Sequence, residues 1–151
     1  MLGRLLRPVD FESVLATPAR ARSAHFVAHH LPRHPQPRCG RREVLGGVEL
    51  STVDPDGCPQ PVDDRRDPAP SSWWFGMVVP KRHARKAATR NLLRRQIRHA
   101  MTRHHARLAH GMWLVRLRAP FQPGDFRSAA SAALRSVARD ELDGLLMRAA
   151  T

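Results

Sequence analysis

The chain has 151 residues, enough for one domain with a hydrophobic core, and a formal net charge of +13 from 26 Lys and Arg against 13 Asp and Glu. This excess indicates a polyanionic partner, either nucleic acid or an anionic membrane surface. No run of about 18 apolar residues is present, which excludes a membrane span, and two cysteines exclude a disulfide framework. Asp10 and Glu12 disfavour an organellar transit peptide. We therefore expect a cytoplasmic protein with a single domain over residues 1–151.

A short amphipathic helix is predicted near the amino terminus. Phe11, Val14 and Leu15 recur at positions i, i+3 and i+4, which places them on one face of a helix. Asp10 is the expected N-cap, because its carboxylate can accept a hydrogen bond from a backbone N–H group of the first turn. The apolar face of this helix is expected to pack against a sheet.

The next predicted element is a strand over residues 24–31. Its alternation puts Phe26 and Ala28 on one face of a sheet and Val27 and His29 on the other face. Strands with this pattern usually bury at least one of their two faces.

Residues 32–70 have a different composition. Eight of the 13 prolines lie in this segment, and its apolar content is too low to offset the entropy of ordering it. We predict a flexible, proline-rich insertion within the domain. Only residues 43–53 have a pattern typical of a strand or a loose hairpin.

The remaining chain predicts two strands and two helices. The strands cover residues 73–79 and 111–119, and the helices cover roughly residues 87–109 and 125–148. Asp125 is the expected N-cap of the last helix. Its core-facing residues are expected to be Phe126, Ala130, Leu134 and Val137. The element order predicts an α+β fold, a small two-layer sandwich of helices against a sheet.

One face of the predicted helix at 87–109 is rich in arginine. At about 100° per residue, one continuous arc contains Arg90, Asn91, Arg94, Arg95 and Arg98, and the apolar residues fall outside that arc. The arginines at i and i+4 repel each other, and no acidic residue lies between residues 68 and 124 to balance them. An external polyanion is therefore expected to offset the repulsion.

The type of basic residue favours nucleic acid over a membrane. Arginine binds phosphate oxygens through a planar fork and stacks on bases, whereas a helix on a membrane surface more often carries lysine. Two other interpretations are a solvated charged face and a helix-turn-helix DNA-binding protein, which requires a second short helix close to the basic one.

The segment GMVVPKRHARKAATRNLLRRQIR, residues 76–98, closely resembles the signature of the bacterial ribonuclease P protein component. The matching positions are a basic pair after a strand and five polar residues on a helix, namely Lys81, Arg82, Arg90, Asn91, Arg94, Arg95 and Arg98. The early segments DFESVL and SAHFVAH and the carboxyl-terminal strand and helix also resemble this family. The proline-rich insertion does not.

The resemblance implies a fold and a function. The fold is a ribonuclease P protein-like α+β sandwich with a mixed sheet and a left-handed βαβ crossover, an exception to the usual handedness. The function is that of a holoenzyme subunit: the protein binds a catalytic RNA, which removes the 5′ leader of precursor tRNA with Mg²⁺ held mainly by the RNA. The implied partners are the ribonuclease P RNA and precursor tRNA, with no membrane and no obligate protein partner.

The resemblance also implies two binding sites. Together with the local charge, it assigns contact with the RNA subunit to Lys81, Arg82, Arg85, Lys86, Arg90, Asn91, Arg94, Arg95 and Arg98. It assigns a cleft for the precursor-tRNA leader to Phe11, Leu15, Phe26 and His29. The two phenylalanines would stack on bases, and the ordinary alternative for both is core packing.

No catalytic residue and no metal site are expected in the chain itself. Metal-dependent phosphodiester cleavage needs clustered carboxylates, which the basic half lacks. Cys39 and Cys58 lack partners at zinc-ligand spacing, and the histidines near the basic helix are interpreted as surface residues rather than an acid–base pair. The alternative to a ribonuclease P subunit is a general RNA-binding or ribosome-associated protein with no role in cleavage.

Overall fold

The computed structural model describes residues 2–36, 71–122, 124, 126, 128 and 131–151. In chain order the elements are β1 (Leu2–Arg4), α1 (Pro8–Leu15), β2 (Ala19–Arg22), β3 (Phe26–Leu31), β4 (Trp73–Val78), α2 (Ala87–His104), β5 (Gly111–Leu117) and α3 (Ala132–Ala150). A 3₁₀ turn, His105–Arg107, follows α2. Of the predicted insertion, residues 37–70 lie outside the described residues, so its flexibility and its strand at 43–53 stay predictions.

The strands form one mixed sheet in the order β1-β4-β5-β3-β2. The pairs β1/β4 and β4/β5 are parallel, and the pairs β3/β5 and β2/β3 are antiparallel. The neighbouring parallel strands β4 and β5 are joined through α2. These three elements form the βαβ unit for which the family resemblance implies a left-handed crossover. The α+β architecture predicted from the sequence is confirmed.

The sheet buries both faces, each against different helices. On β5, Trp113, Val115 and Leu117 belong to the main core beneath α2 and α3. Met112 and Leu114, which alternate with them, belong to a smaller core beneath α1. The sheet and the α2–α3 layer form the predicted sandwich, and the short helix α1 lies on the opposite face. Within the part of the chain that is described, no helix has the length and apolar content to cross a bilayer.

Helix α1 occurs where the sequence predicts it, but its cap differs. Pro8 occupies the first turn, where the missing N–H of proline costs nothing, and the N-cap is Arg7. Asp10 therefore lies inside the helix and is only 2 % exposed. Its Oδ1 accepts a hydrogen bond from the backbone N–H of Gln36 at 3.1 Å, so it fastens the chain after β3 to α1. The prediction of Asp10 as N-cap is wrong.

Helix α3 begins later than predicted and buries a different row of residues. Its N-cap is Ser131, whose Oγ accepts a hydrogen bond from the N–H of Leu134 at 3.1 Å. Asp125 and Ala130 lie outside the described residues. Leu134 is buried as predicted, but Val137 is 44 % exposed, so its assignment to the core is wrong. The buried row continues from Leu134 through Ala138 and Leu142, one helical turn at a time.

Two indole side chains explain why α2 ends at His104 instead of residue 109. The Nε1–H of Trp73 donates to the carbonyl of Leu108 at 2.9 Å, and the Nε1–H of Trp113 donates to the carbonyl of Ala109 at 2.8 Å. These bonds hold the end of the predicted helix in an extended connection to β5. Both indoles come from strands, so the helical pattern of the segment gives no sign of this termination.

Strands β1 and β2 were not predicted. They contain three and four residues, with the sequences LGR and ARAR. Such short edge strands lack the alternation of apolar residues that identifies a half-buried strand. Their pairing with longer neighbours defines them: β1 pairs with β4, and β2 pairs with β3.

Glu141 of α3 holds the connection between β2 and β3. Its Oε1 accepts hydrogen bonds from the Ser23 hydroxyl and from the backbone N–H of His25, both at 2.6 Å. Its Oε2 lies 2.8 Å from Nδ1 of His25. Burial by itself raises the pKa of this carboxyl, but the hydrogen bonds from Ser23 and His25 outweigh burial and hold its pKa below the ordinary value of 4.5.

We expect this carboxylate to make the folded state sensitive to acid. Because the folded pKa of Glu141 lies below its unfolded value, its contribution to stability is present above pH 4.5 and is lost as the pH falls through the folded pKa. Urea unfolding between about pH 3 and about pH 6 should therefore show a steeper loss of stability for the wild type than for Glu141→Gln. The control is Glu12→Gln, at an exposed position of α1. Equal pH slopes for Glu141→Gln and the wild type would contradict this prediction.

Candidate nucleic-acid interface

The predicted basic pair lies in a tight turn between β4 and α2. Lys81 and Arg82 are exposed. The carbonyl of Pro80 accepts hydrogen bonds from the backbone N–H groups of His83 at 3.1 Å and Ala84 at 3.2 Å, which close the turn. The turn therefore presents both basic side chains to solvent immediately before the helix begins.

Helix α2 separates its apolar and basic residues as the sequence predicts. Its buried residues are Leu92, Leu93, Gln96, Ile97, Ala100 and Met101. Eight of the residues predicted to contact RNA are exposed. We call them the basic surface: Lys81, Arg82, Arg85, Lys86, Asn91, Arg94, Arg95 and Arg98. Arg94, Arg95 and Arg98 have no ion pair with any described acidic residue. The helix thus carries an uncompensated positive surface that is independent of its packing on the sheet.

Arg90 differs from the other arginines of the predicted set, because it is half-buried. Its Nη1 donates hydrogen bonds to the carbonyls of Ala84 at 3.0 Å and Arg85 at 2.7 Å. Arg90 therefore fastens the basic turn to the first turn of α2. Part of its hydrogen-bonding capacity is used inside the protein, which the sequence pattern does not reveal.

Phe11 and Leu15 are half-buried on the face of the sheet that carries α1. The ring of Phe11 lies directly on the backbone of Gly76 in β4. A Cβ atom at Gly76 would lie 2.7 Å from Cε1 of Phe11 and 2.9 Å from Cδ1 of Leu114, so any side chain at this position would collide with the ring. The glycine thus lets α1 approach the sheet closely.

The other two residues predicted for the leader cleft lie elsewhere or are covered. Phe26 is fully buried in the main core on the opposite face of the sheet, so its assignment to the cleft is wrong. His29 is on the α1 face but is only 8 % exposed. Its Nδ1 lies 3.0 Å from the carbonyl of Thr17, a pure acceptor, so this nitrogen donates, and its Nε2 is buried without a partner.

Additional residues of the α1 face were missed by the sequence analysis. Leu31, Trp74 and Val78 are half-buried around α1. Arg116 of β5 is half-buried on the same face, and its Nε has no hydrogen-bond partner. We call Phe11, Leu15, Leu31, Trp74, Val78 and Arg116 the α1-side surface. Alternation along the two predicted strands groups these strand residues together. The sequence signal for Arg116 is that it is the one charged residue in the apolar segment 112–117.

The described residues contain no group of three or more His, Cys, Asp or Glu side chains that could hold a metal ion. Cys39 and Cys58 lie outside these residues. The helix-turn-helix alternative is excluded, because α2 lies between strands β4 and β5. Binding of a polyanion is therefore the chemistry that the exposed basic surface supports best.

Comparisons with known proteins agree on one family. The family model for ribonuclease P matches residues 2–139. The ribonuclease P protein component of Paraburkholderia xenovorans is 29 % identical over 148 residues, which cover 98 % of this chain and 81 % of the relative. Its counterpart from Burkholderia pseudomallei is 31 % identical over 148 residues, with 98 % and 82 % covered. The counterpart from Bordetella parapertussis is 34 % identical over 111 residues, with 74 % and 80 % covered.

A solved structure supports the fold. The ribonuclease P protein of Staphylococcus aureus superposes with a TM-score of 0.53 at 16 % identity, and the match covers 95 % of this chain and 92 % of the other. The family match and the relatives extend over most of this chain, including the basic turn and α2. The chain therefore belongs to the ribonuclease P protein family.

Proposed function

We propose that this chain binds the catalytic RNA of ribonuclease P through the basic surface and assists RNA-catalysed removal of the 5′ leader from precursor tRNA. The observation that carries the proposal is the row of exposed arginines on α2 that no described acidic residue neutralises. Their guanidinium groups match phosphate oxygens in geometry and charge. Membership of the ribonuclease P family supplies the identity of the RNA.

The physical role of such a subunit is electrostatic. A folded catalytic RNA and a precursor tRNA repel each other, and a protein with a net charge of +13 between them reduces that repulsion. If about five phosphates are neutralised, the logarithm of the binding constant should fall with the logarithm of salt concentration with a slope of about −3.5 to −4.5. The uncapped amino terminus of α2, where Lys86 makes no side-chain capping bond, adds the positive end of the helix dipole.

We further propose that the α1-side surface receives the single-stranded leader. Phe11 and Trp74 have half-buried rings on whose accessible parts bases can stack, at about 1–3 kcal/mol per base. Arg116 is half-buried on the same face, and its guanidinium charge suits a phosphate or a base edge. His29 supports this surface from below instead of stacking, because its ring is buried.

The chemistry of cleavage is assigned to the RNA in this proposal. Mg²⁺ prefers carboxylate and phosphate oxygens, and the basic surface contains no carboxylate, so the RNA phosphates are the natural ligands. The protein then contributes charge and substrate position rather than a catalytic group. The proposal needs neither a membrane nor an obligate protein partner, and it assigns the protein to the cytoplasm as the site of tRNA processing.

A cleavage assay tests the proposal. The purified chain is mixed with a bacterial ribonuclease P RNA and a 5′-labelled precursor tRNA, at a Mg²⁺ concentration at which the RNA alone is slow. We expect faster cutting at the mature 5′ end, and no cutting when the RNA is omitted. If the chain binds RNA but does not accelerate cleavage, the proposal is wrong and a general RNA-binding function takes its place.

A further inference from the structure

A groove between α2 and α3 lies beside the basic surface and has a volume of about 460 Å³. The polar residues that line it include Arg95, Gln96, His99 and Arg103 of α2 and Arg135 and Arg139 of α3. We propose that this α2–α3 groove is a second RNA contact, which binds a phosphodiester backbone that continues from the basic surface. The proposal rests on the proposed function and extends it to residues of α3.

Two rows of basic residues face each other across the groove. Arg95, His99 and Arg103 are spaced four residues apart along α2, and Arg135 and Arg139 have the same spacing on α3, so each row lies on one helix face. Helices that pack along their length are stabilised when opposite charges meet at the seam. Here both rows carry the same sign, so an anion in the groove would relieve the repulsion between them.

The acidic residues near the groove neutralise only part of this charge. Asp143 accepts hydrogen bonds from Arg103 and His104, and its Oδ2 lies 3.9 Å from Nε of Arg139. Asp140 accepts a hydrogen bond from the Ser136 hydroxyl at 3.5 Å. Asp143 thus lies at the Arg103 end of the groove, and Asp140 forms no ion pair with a described arginine.

Arg95 and Arg135 at the other end remain unpaired. Neither side chain has an ion pair or a hydrogen bond to any residue in the described part of the chain. Arg95 also belongs to the basic surface, so the unpaired end of the groove is continuous with the predicted RNA contacts. A strand bound along α2 therefore has a basic path into the groove.

Gln96 adds a neutral hydrogen-bonding group to the groove. Its side chain is only 5 % exposed and lines the groove, yet its carboxamide has no hydrogen bond to a described residue. The amide is not among the buried groups of the described residues that lack a partner, so it reaches the open space of the groove and is accessible to a ligand. A carboxamide can donate to a phosphate oxygen or pair with a base edge, so a bound RNA strand would satisfy it.

Arginine replacement tests the groove in the full chain. Binding to the ribonuclease P RNA, and binding of precursor tRNA to the assembled complex, are measured against salt concentration for Arg135→Ala. The control Arg22→Ala removes the same charge from an exposed position on β2. We expect Arg135→Ala to flatten the salt slope by about 0.7–0.9 and to weaken binding about fivefold to tenfold at 0.1 M salt, and Arg22→Ala to match the wild type.

The first arm of the test is binding to the ribonuclease P RNA, and the second arm is binding of precursor tRNA to the assembled complex. Together they identify the RNA that supplies the phosphates. A loss in the first arm assigns the groove to the catalytic RNA, and a loss confined to the second arm assigns it to precursor tRNA. If Arg135→Ala equals Arg22→Ala in both arms while Arg94→Ala weakens binding, the groove proposal is wrong and the basic surface stands. If the wild type binds neither RNA, both proposals are wrong. Preference of the groove for an acidic polypeptide over RNA would also overturn the inference.

A second variant separates ligand binding from packing. Gln96→Leu keeps a similar volume and removes the amide from the groove, so the free energy of unfolding should change little. If the amide contacts RNA, the same variant should bind RNA more weakly although its free energy of unfolding matches that of the wild type. A Gln96→Leu protein that folds and binds RNA like the wild type would contradict the assignment of this residue to the groove.

Discussion

Replacement of Arg94 and Arg98 together by alanine should weaken binding to the ribonuclease P RNA roughly 25- to 60-fold at 0.1 M salt. Each lost phosphate contact flattens the salt slope by about 0.7–0.9, so the double variant should differ from the wild type by about 1.4–1.8 in slope and converge with it near 1 M salt. Both side chains are exposed and have no partner among the described residues, so the free energy of unfolding should change little.

The control for this double variant removes the same charge elsewhere. Arg22 and Arg148 are exposed where β2 meets the end of α3, and the Arg148 guanidinium donates to the backbone carbonyl of Arg22 at 3.2 Å. Arg22→Ala/Arg148→Ala should retain the wild-type salt slope. If the two double variants lose affinity equally, the effect comes from net charge and the basic surface is not a specific contact.

Phe26→Ala should destabilise the protein by about 3–5 kcal/mol, because Phe26 is fully buried and its removal leaves a cavity in the core. The ring of Phe26 packs against Phe121, with centroids 5.9 Å apart. Urea unfolding measures the loss. At a temperature where the variant is folded, its preference for leader-bearing over mature tRNA should equal that of the wild type, since Phe26 lies on the face away from α1.

Phe11→Ala is the matched comparison on the α1-side surface. Its ring is half-buried, so the loss of stability should be smaller than for Phe26→Ala, while preference for the leader should fall by about 1–3 kcal/mol, the range for one stacked base. The measurement is the ratio of dissociation constants for precursor and mature tRNA with the assembled complex. An unchanged ratio would assign Phe11 to the core of α1 alone.

The sequence predicts local features of this protein well. The division of α2 into an apolar and a basic face depends only on helical periodicity within about five turns, and the structure confirms it. Strands β4 and β5 follow from apolar, β-branched and aromatic residues bounded by turn residues. The resemblance to the family depends on the spacing of polar residues along one helix, so it can be recognised without the tertiary structure.

Features that depend on distant contacts were predicted wrongly or not at all. Alternation shows that Phe26 and His29 lie on different faces of β3, but it does not show which face meets α1 and which meets α2 and α3. The cap at Ser131 and the burial of Ala138 instead of Val137 depend on where α3 docks. The end of α2 depends on indoles supplied by two strands.

The sequence by itself therefore determined the family, the α+β class and the basic face of α2, because each of these is encoded in short-range spacing. Only the tertiary structure decided the composition of the α1-side surface, where Trp74 and Arg116 join Phe11 and from which Phe26 is absent. Only the tertiary structure placed Arg135 opposite Arg95 across a groove, since the two residues are forty positions apart. Basic residues that are distant along the chain come together only when the helices pack, because packing determines which helix faces meet and periodicity within one helix does not.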